Sequence, residues 1–230
     1  MDLSCAQAAP CPIGKGASLD WLSTRVQLAQ VPAFIKISAA RWYAHPCEVL
    51  SLCHRTFEDQ LVAVRSDAYA EDQAQTTRAG EFCTLLNVAS AELPESIERV
   101  AQSMPGHPKD SILIQRMVLQ PRFVGVVSSQ RIADGAPWYC IELAHDDTAA
   151  VTGGRATGRQ VAVARSRIAL GVEPLDEPER SALALVQEVE GLVEGIPLEI
   201  EFALSESPSA SCVLEGHLLQ MRPLTTARYW

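Results

Sequence analysis

Two stretches near the end of the chain, LEIEFAL at residues 198–204 and HLLQMR at residues 217–222, decide how its second half is built. In the first, Leu198, Ile200, Phe202 and Leu204 alternate with Glu199 and Glu201, the period of a strand with one face buried. In the second, Gln220 and Arg222 share one side while Leu219 and Met221 are expected on the other. Paired antiparallel with apolar faces inward, the two strands gather a carboxylate, an amide oxygen and a guanidinium on one polar surface. Mg²⁺ takes oxygen ligands and completes its shell with water and substrate phosphates, so Glu201 and Gln220 are candidate ligands. Arg222 is suited to fork onto a phosphate. On periodicity alone, an ordinary solvated strand face is the simpler reading.

Working back from these strands, residues 111–166 are β-rich, with SILIQRMV, FVGVVSS, WYCIELA and QVAVARS in succession. A long helix is predicted at residues 178–193, with Leu183, Leu185, Val186, Val189 and Val193 as its apolar face. The first half is mixed. Helices are predicted at residues 17–30 (apolar positions Leu19, Leu22, Val26 and Leu28), 46–56 and 94–104, where Pro94 suits a first turn. Strands are predicted in AFIKIS, QLVAVR and FCTLLNV. Between the last two lies SDAYAEDQAQTTRAGE, small, polar and aperiodic, the kind of long irregular loop that is usually functional or disordered. The reading is an α+β chain of two lobes, residues 1–105 and 106–230, forming one bilobed unit.

Composition narrows the function classes. A net charge of −9 with no Lys/Arg cluster argues against a nucleic-acid groove. Arginine supplies nearly all the positive charge, and the lysines are Lys15, Lys36 and Lys109, so each lysine needs a reason. The seven cysteines are scattered without a CxxC pair, which fits free thiols in a reducing compartment. No apolar run reaches membrane-spanning length, and the opening MDLSCAQAAPCPIGKG has no basic-then-apolar leader pattern; a cytoplasmic location is expected. No GxxxxGK[ST] occurs, and no GxSxG elbow.

The segment AVRSDAYAEDQAQTTRAGEFCTLLNV (residues 63–88) resembles the AVRSSATAED…FAGQ-x-DT-x-LNV run of phosphoenolpyruvate synthases, pyruvate phosphate dikinases and rifampicin phosphotransferases. GKGASLDWL is similar to their GGKGANLAEL-type opening, ILIQRMV and FVGVVSS to two of their strands, and EIEFAL with LLQMRPLT to their closing IEWA…LLQ-x-RP-[IL]-T. These matches keep the family's order along nearly the whole chain. The resemblance implies an ATP-grasp-type fold clamping Mg·ATP between lobes. It implies ATP contacts from Lys15 and Arg65, a phosphate loop including Gly80 and Thr84, and adenine contacts from Gln115 and the backbone near Met117 and Val118. Glu201 and Gln220 would hold Mg²⁺, and Arg222 a phosphate. Lys15, Arg65 and Arg222 would be the charge-neutralising groups of phosphoryl transfer, a reaction dominated by positioning and electrostatics.

Three residues depart from the family pattern: Asp67 for a serine, Glu81 for glutamine and Cys83 for aspartate. Asp67 is expected to place negative charge near the polyphosphate. The family's phosphorylated histidine is also missing from its usual small-residue setting, since none of His45, His54, His107, His145 and His217 lies in one. Two functions follow as expectations. One is an ATP-dependent phosphotransferase passing phosphate to a histidine on another domain or protein, or to a small-molecule acceptor. The other is a degenerate nucleotide-binding module without catalysis of its own.

Overall fold

In the computed structural model the described residues are 12, 14–69, 83–145, 158–171, 174–193, 195–207 and 214–224. They form two antiparallel sheets with flanking helices, an α+β architecture. The first sheet has the order β1-β4-β2-β3, from β1 (Phe34–Ser38), β2 (Val62–Asp67), β3 (Thr84–Val88) and β4 (Ser111–Arg116). The second has the order β7-β6-β5-β8-β9, from β5 (Phe123–Ser128), β6 (Trp138–His145), β7 (Arg159–Ala164), β8 (Leu198–Glu206) and β9 (Leu214–Pro223). β4 lies beyond the division expected near residue 105, yet its partners are β1 and β2. Its pairing is non-local, which no local pattern announces; the chain changes sheet between Arg116 and Phe123.

Each sheet buries one face under helices. Ile35, Ile37, Val62, Val64, Ile112 and Ile114 pack with α3 (Pro46–Phe57) and α4 (Leu93–Ser103), which contribute Val49, Cys53, Phe57, Ile97 and Val100. In the second sheet Leu198, Ile200, Phe202 and Leu204 meet the predicted apolar face of α6 (Glu177–Leu192) and the following Val193. Two short helices were not legible: α2 (Ala39–Ala44), started by the Ser38 side chain accepting from Arg41 N–H, and α5 (Arg165–Ala169).

The first helix, α1 (Lys15–Ser23), is shorter than the expected span to residue 30. Leu19 and Leu22 are fully buried, but Leu28 is 72% exposed. The reason is a competing set of partners. The Glu188 carboxylate accepts from the N–H groups of Gln27 (2.5 Å), Leu28 (2.8 Å) and Ala29 (3.1 Å), holding them in a bend outside the helix. Gln30 then adds to the edge of β9 as an isolated parallel bridge to His217. Residues 15–30 therefore run from the first sheet to the second.

Candidate active site between the two sheets

The unburied-by-helix faces of the two sheets turn toward each other, and strand parity dictates what they carry. On β2, Val62 and Val64 enter the first core, so Ala63, Arg65 and Asp67 take the opposite face. Register places Lys36, Leu113 and Arg65 in one row across β1, β4 and β2, with Phe34, Gln115 and Ala63 in the next. On β8 the same rule turns Glu199 and Glu201 to the non-core face, where they stand opposite Arg222 and Gln220 of β9.

A bulge between Glu201 and Phe202 corrects one detail. Leu218, not Leu219, is the fully buried partner in the main core. Leu219 packs with Val118 against Val124, Ala144 and Ala203 on the inter-sheet face, so it does not point away with Met221 as the simple alternation expects. The extra residue absorbs the change of parity, and the polar set Glu199, Glu201, Gln220 and Arg222 is preserved.

Arg65 joins the two faces. It is 8% exposed, and its Nη2 donates to Gln220 Oε1 (2.7 Å) and Glu201 Oε2 (3.2 Å). Its Nε–H is buried with no hydrogen-bond partner. So is the Nε2 amide of Gln115, two positions along the same face. Buried donors are normally paired, and these two lie on the same face of the first sheet. Arg222 Nε donates to Glu199 Oε1 (2.6 Å), and its Nη2 also reaches that oxygen.

Asp67 does something the sequence did not announce. Its carboxylate accepts from Lys15 N–H (2.8 Å) and Gly16 N–H (3.3 Å) at the start of α1, from Ser111 Oγ (2.9 Å), and pairs with Lys36 Nζ (3.0 Å). The N-cap of α1, Gly14, offers no side chain, so the helix takes its capping anion from a strand. Gly16 permits the approach: a Cβ there would lie 2.6 Å from Lys36 Cδ and 3.1 Å from Asp67 Oδ2. Burial pushes the Asp67 carboxyl up, but Lys36, Ser111 and the Lys15 N–H outweigh it and hold it below the ordinary value. The negative charge expected near the polyphosphate is matched by these partners.

Residues 22–109 match the family model for "Pyruvate phosphate dikinase, AMP/ATP-binding domain". That segment is similar to the nucleotide-binding domain of the dikinase family. The match takes in Lys36, Arg65, Asp67 and Thr84, and ends before Gln115 and the β8–β9 pair. No curated protein sequence matches the chain. Among solved structures it is similar to L-amino acid ligase from Bacillus licheniformis (TM-score 0.49, 14% identity, 92% of this chain and 42% of that one). It is also similar to D-alanine-D-alanine ligase from Helicobacter pylori (0.45, 9%, 92% and 57%) and D-alanyl-alanine synthetase A from Vibrio cholerae O1 biovar eltor str. N16961 (0.45, 11%, 93% and 56%). The chain spans about half the length of these structures. At such scores the likenesses decide nothing about function.

Around this inter-sheet cluster the remaining expected residues are unevenly placed. Lys15 Nζ donates to Ser66 O (2.9 Å), next to Arg65 in sequence. Thr84 is exposed and stands opposite Arg65 in the β2–β3 register. Met117 N–H already donates to Leu61 O (2.9 Å), so that donor is spent inside the fold. Val118 lies in the segment joining the sheets. Gly80 and Glu81 fall outside the described residues. Lys36 was not singled out beforehand; its position on the non-core side of AFIKIS was the signal. Two cavities lie elsewhere, one of about 400 Å³ including Ser129, Arg165 and Glu190, the other of about 500 Å³ including Arg41, Glu48 and Arg55. Neither contains any of the residues above.

Proposed function

We propose that the chain is the ATP-binding unit of a phosphotransferase of ATP-grasp type, with its two sheets as the two lobes of the nucleotide clamp. It binds Mg·ATP between them and passes phosphate to a histidine on another domain or protein, or to a small-molecule acceptor. The observation that carries this reading is the meeting of Arg65, from the dikinase-family segment, with Glu201 and Gln220 from the far end of the chain. The two unpaired buried donors, Arg65 Nε and Gln115 Nε2, suit phosphate and adenine acceptors respectively.

The donor set also fits magnesium. Glu201 and Gln220 offer hard oxygens, and among the described residues no group of three or more His, Cys, Asp or Glu is assembled for a metal. A two-oxygen site suits an ion that draws its other ligands from phosphates and water. Bound there, Mg²⁺ would neutralise polyphosphate charge. Arg65, Arg222 and Lys15 would orient the nucleotide and spread the negative charge that develops on the transferred group. Leu219, Val118 and Leu113 give the inter-sheet space apolar walls that strengthen those interactions by excluding water. Among the described residues no helix is long and apolar enough to cross a membrane.

Of the three features that favoured a degenerate module, Asp67 is accounted for as the cap of α1, Cys83 packs against the first core, and Glu81 lies outside the described residues. The meeting of Arg65 with Glu201 and Gln220 favours the active reading. Its test is thermal: ATP with Mg²⁺ raises the melting temperature, while ATP with EDTA does not. An equal rise in both conditions removes Glu201 and Gln220 as ligands. Release of ADP, or of AMP and phosphate, with a candidate acceptor then distinguishes enzyme from module.

A further inference from the structure

The two oxygens suited to a divalent cation are already taken by a cation of the protein's own. Arg65 Nη2 lies 2.7 Å from Gln220 Oε1 and 3.2 Å from Glu201 Oε2, and the Arg65 side chain is 9% exposed. Beside it Arg222 is folded onto Glu199, and across the first sheet Lys36 is folded onto Asp67. The face that would receive a polyanion thus has its cations Arg65, Arg222 and Lys36 each matched to a carboxylate. Magnesium binds oxygen at about 2.0–2.1 Å. A guanidinium nitrogen within hydrogen-bond reach of the same two oxygens and a dication between them repel strongly in a poorly hydrated space.

We infer that Arg65 is a resident counter-ion at the metal position, a latch between the sheets that must leave Glu201 and Gln220 before a divalent cation is held. Only then does its guanidinium become available to a phosphate. The consequence is coupling. Metal alone competes with Arg65, and nucleotide alone meets a site whose Glu201 carboxylate is unmasked as soon as Arg65 turns away. Together the two ligands satisfy every group, so each raises the affinity of the other. The nucleotide half of this coupling rests on the ATP reading above; the competition between Arg65 and metal stands without it.

The test therefore uses metal alone. Mn²⁺ binding, followed by the spectrum of the free ion and by calorimetry, is measured without nucleotide for the wild-type chain, Arg65→Gln, Arg65→Lys and Arg65→Gln/Glu201→Gln. Arg65→Gln binds Mn²⁺ about tenfold or more tightly than wild type, because the half-buried Glu201 carboxylate has lost its counter-ion. Arg65→Lys, which keeps the charge but not the fork, falls between. The gain vanishes in the double variant. Folded Arg65→Gln and Arg65→Lys chains with unchanged or weaker Mn²⁺ binding overturn the inference, as does a gain that survives Glu201→Gln. Should Arg65→Gln fail to fold, the lysine variant and the Arg65 Nε–H resonance of the wild type decide. That resonance shifts during titration with Mg²⁺ alone, and one unmoved at saturation overturns the latch. Failure of the wild type to bind Mg·ATP would instead strike the proposed function and leave these measurements intact.

Discussion

Replacing Asp67 with alanine removes one acceptor group from four donors at once: Lys15 N–H, Gly16 N–H, Ser111 Oγ and Lys36 Nζ. The Lys36 side chain is 37% exposed and regains water, but Gly16 and Ser111 are buried and do not. A buried donor left unpaired costs about 1–3 kcal/mol. Two of them, with loss of an anion at a helix N-terminus worth about 0.3–1 kcal/mol, give roughly 2–7 kcal/mol. For a chain of this size that is a melting temperature lower by about 5–28 °C. Asp67→Asn keeps one acceptor oxygen and loses about half as much. The pH dependence has a fixed sign. The folded carboxyl sits below its ordinary value of 3.8, so its contribution is complete above that value and is lost as pH falls through the folded value. Urea unfolding followed by tryptophan fluorescence should show a gap between wild type and Asp67→Asn that is constant from neutral pH to about 5 and narrows in stronger acid. A neutral-pH loss for Asp67→Ala under about 1 kcal/mol, or a gap indifferent to acid, refutes the assignment of this carboxylate as the cap of α1.

Further outcomes are expected. Arg222→Lys weakens Mg·ATP binding about tenfold in calorimetry, since a point charge replaces a fork; lysine is the better test than alanine because Glu199 is 7% exposed and needs a cation. Gly125→Ala costs about 1–3 kcal/mol or more by denaturant melts. Its Cβ would lie 2.2 Å from the Glu142 carbonyl oxygen and 2.9 Å from Phe202 Cζ. Glu188→Ala releases residues 27–29, lowers stability by about 1–2 kcal/mol, and removes hydrogen-exchange protection from Gln30 N–H, which donates to Gly216 O (2.9 Å).

What the sequence revealed and what it hid follow a physical line. Alternation in LEIEFAL was enough to place Glu199 and Glu201 on one face, because burial of Leu198, Ile200, Phe202 and Leu204 leaves no other choice. The apolar stripe of α6 was legible for the same reason. The bulge beside Glu201 was not, since an inserted residue leaves no compositional mark and only the pairing reveals it. Nor was the place of β4, whose partners are separated from it by tens of residues. Helix α1 was overextended because the pattern cannot anticipate a carboxylate arriving from Glu188, more than 150 positions later. Asp67 looked like a defect when set against a family motif; three-dimensional neighbours made it a cap.

Residues 15–30 tie the sheets together, held to the first by Asp67 at the start of α1 and to the second by Glu188 and β9. Residues 31–33 lead back to β1, and residues 117–122 make the later crossing. A body hung on two straps swings about the line joining them and resists twisting across it. Relative motion of the two sheets would thus favour one axis, opening widest at whatever edge lies farthest from both straps.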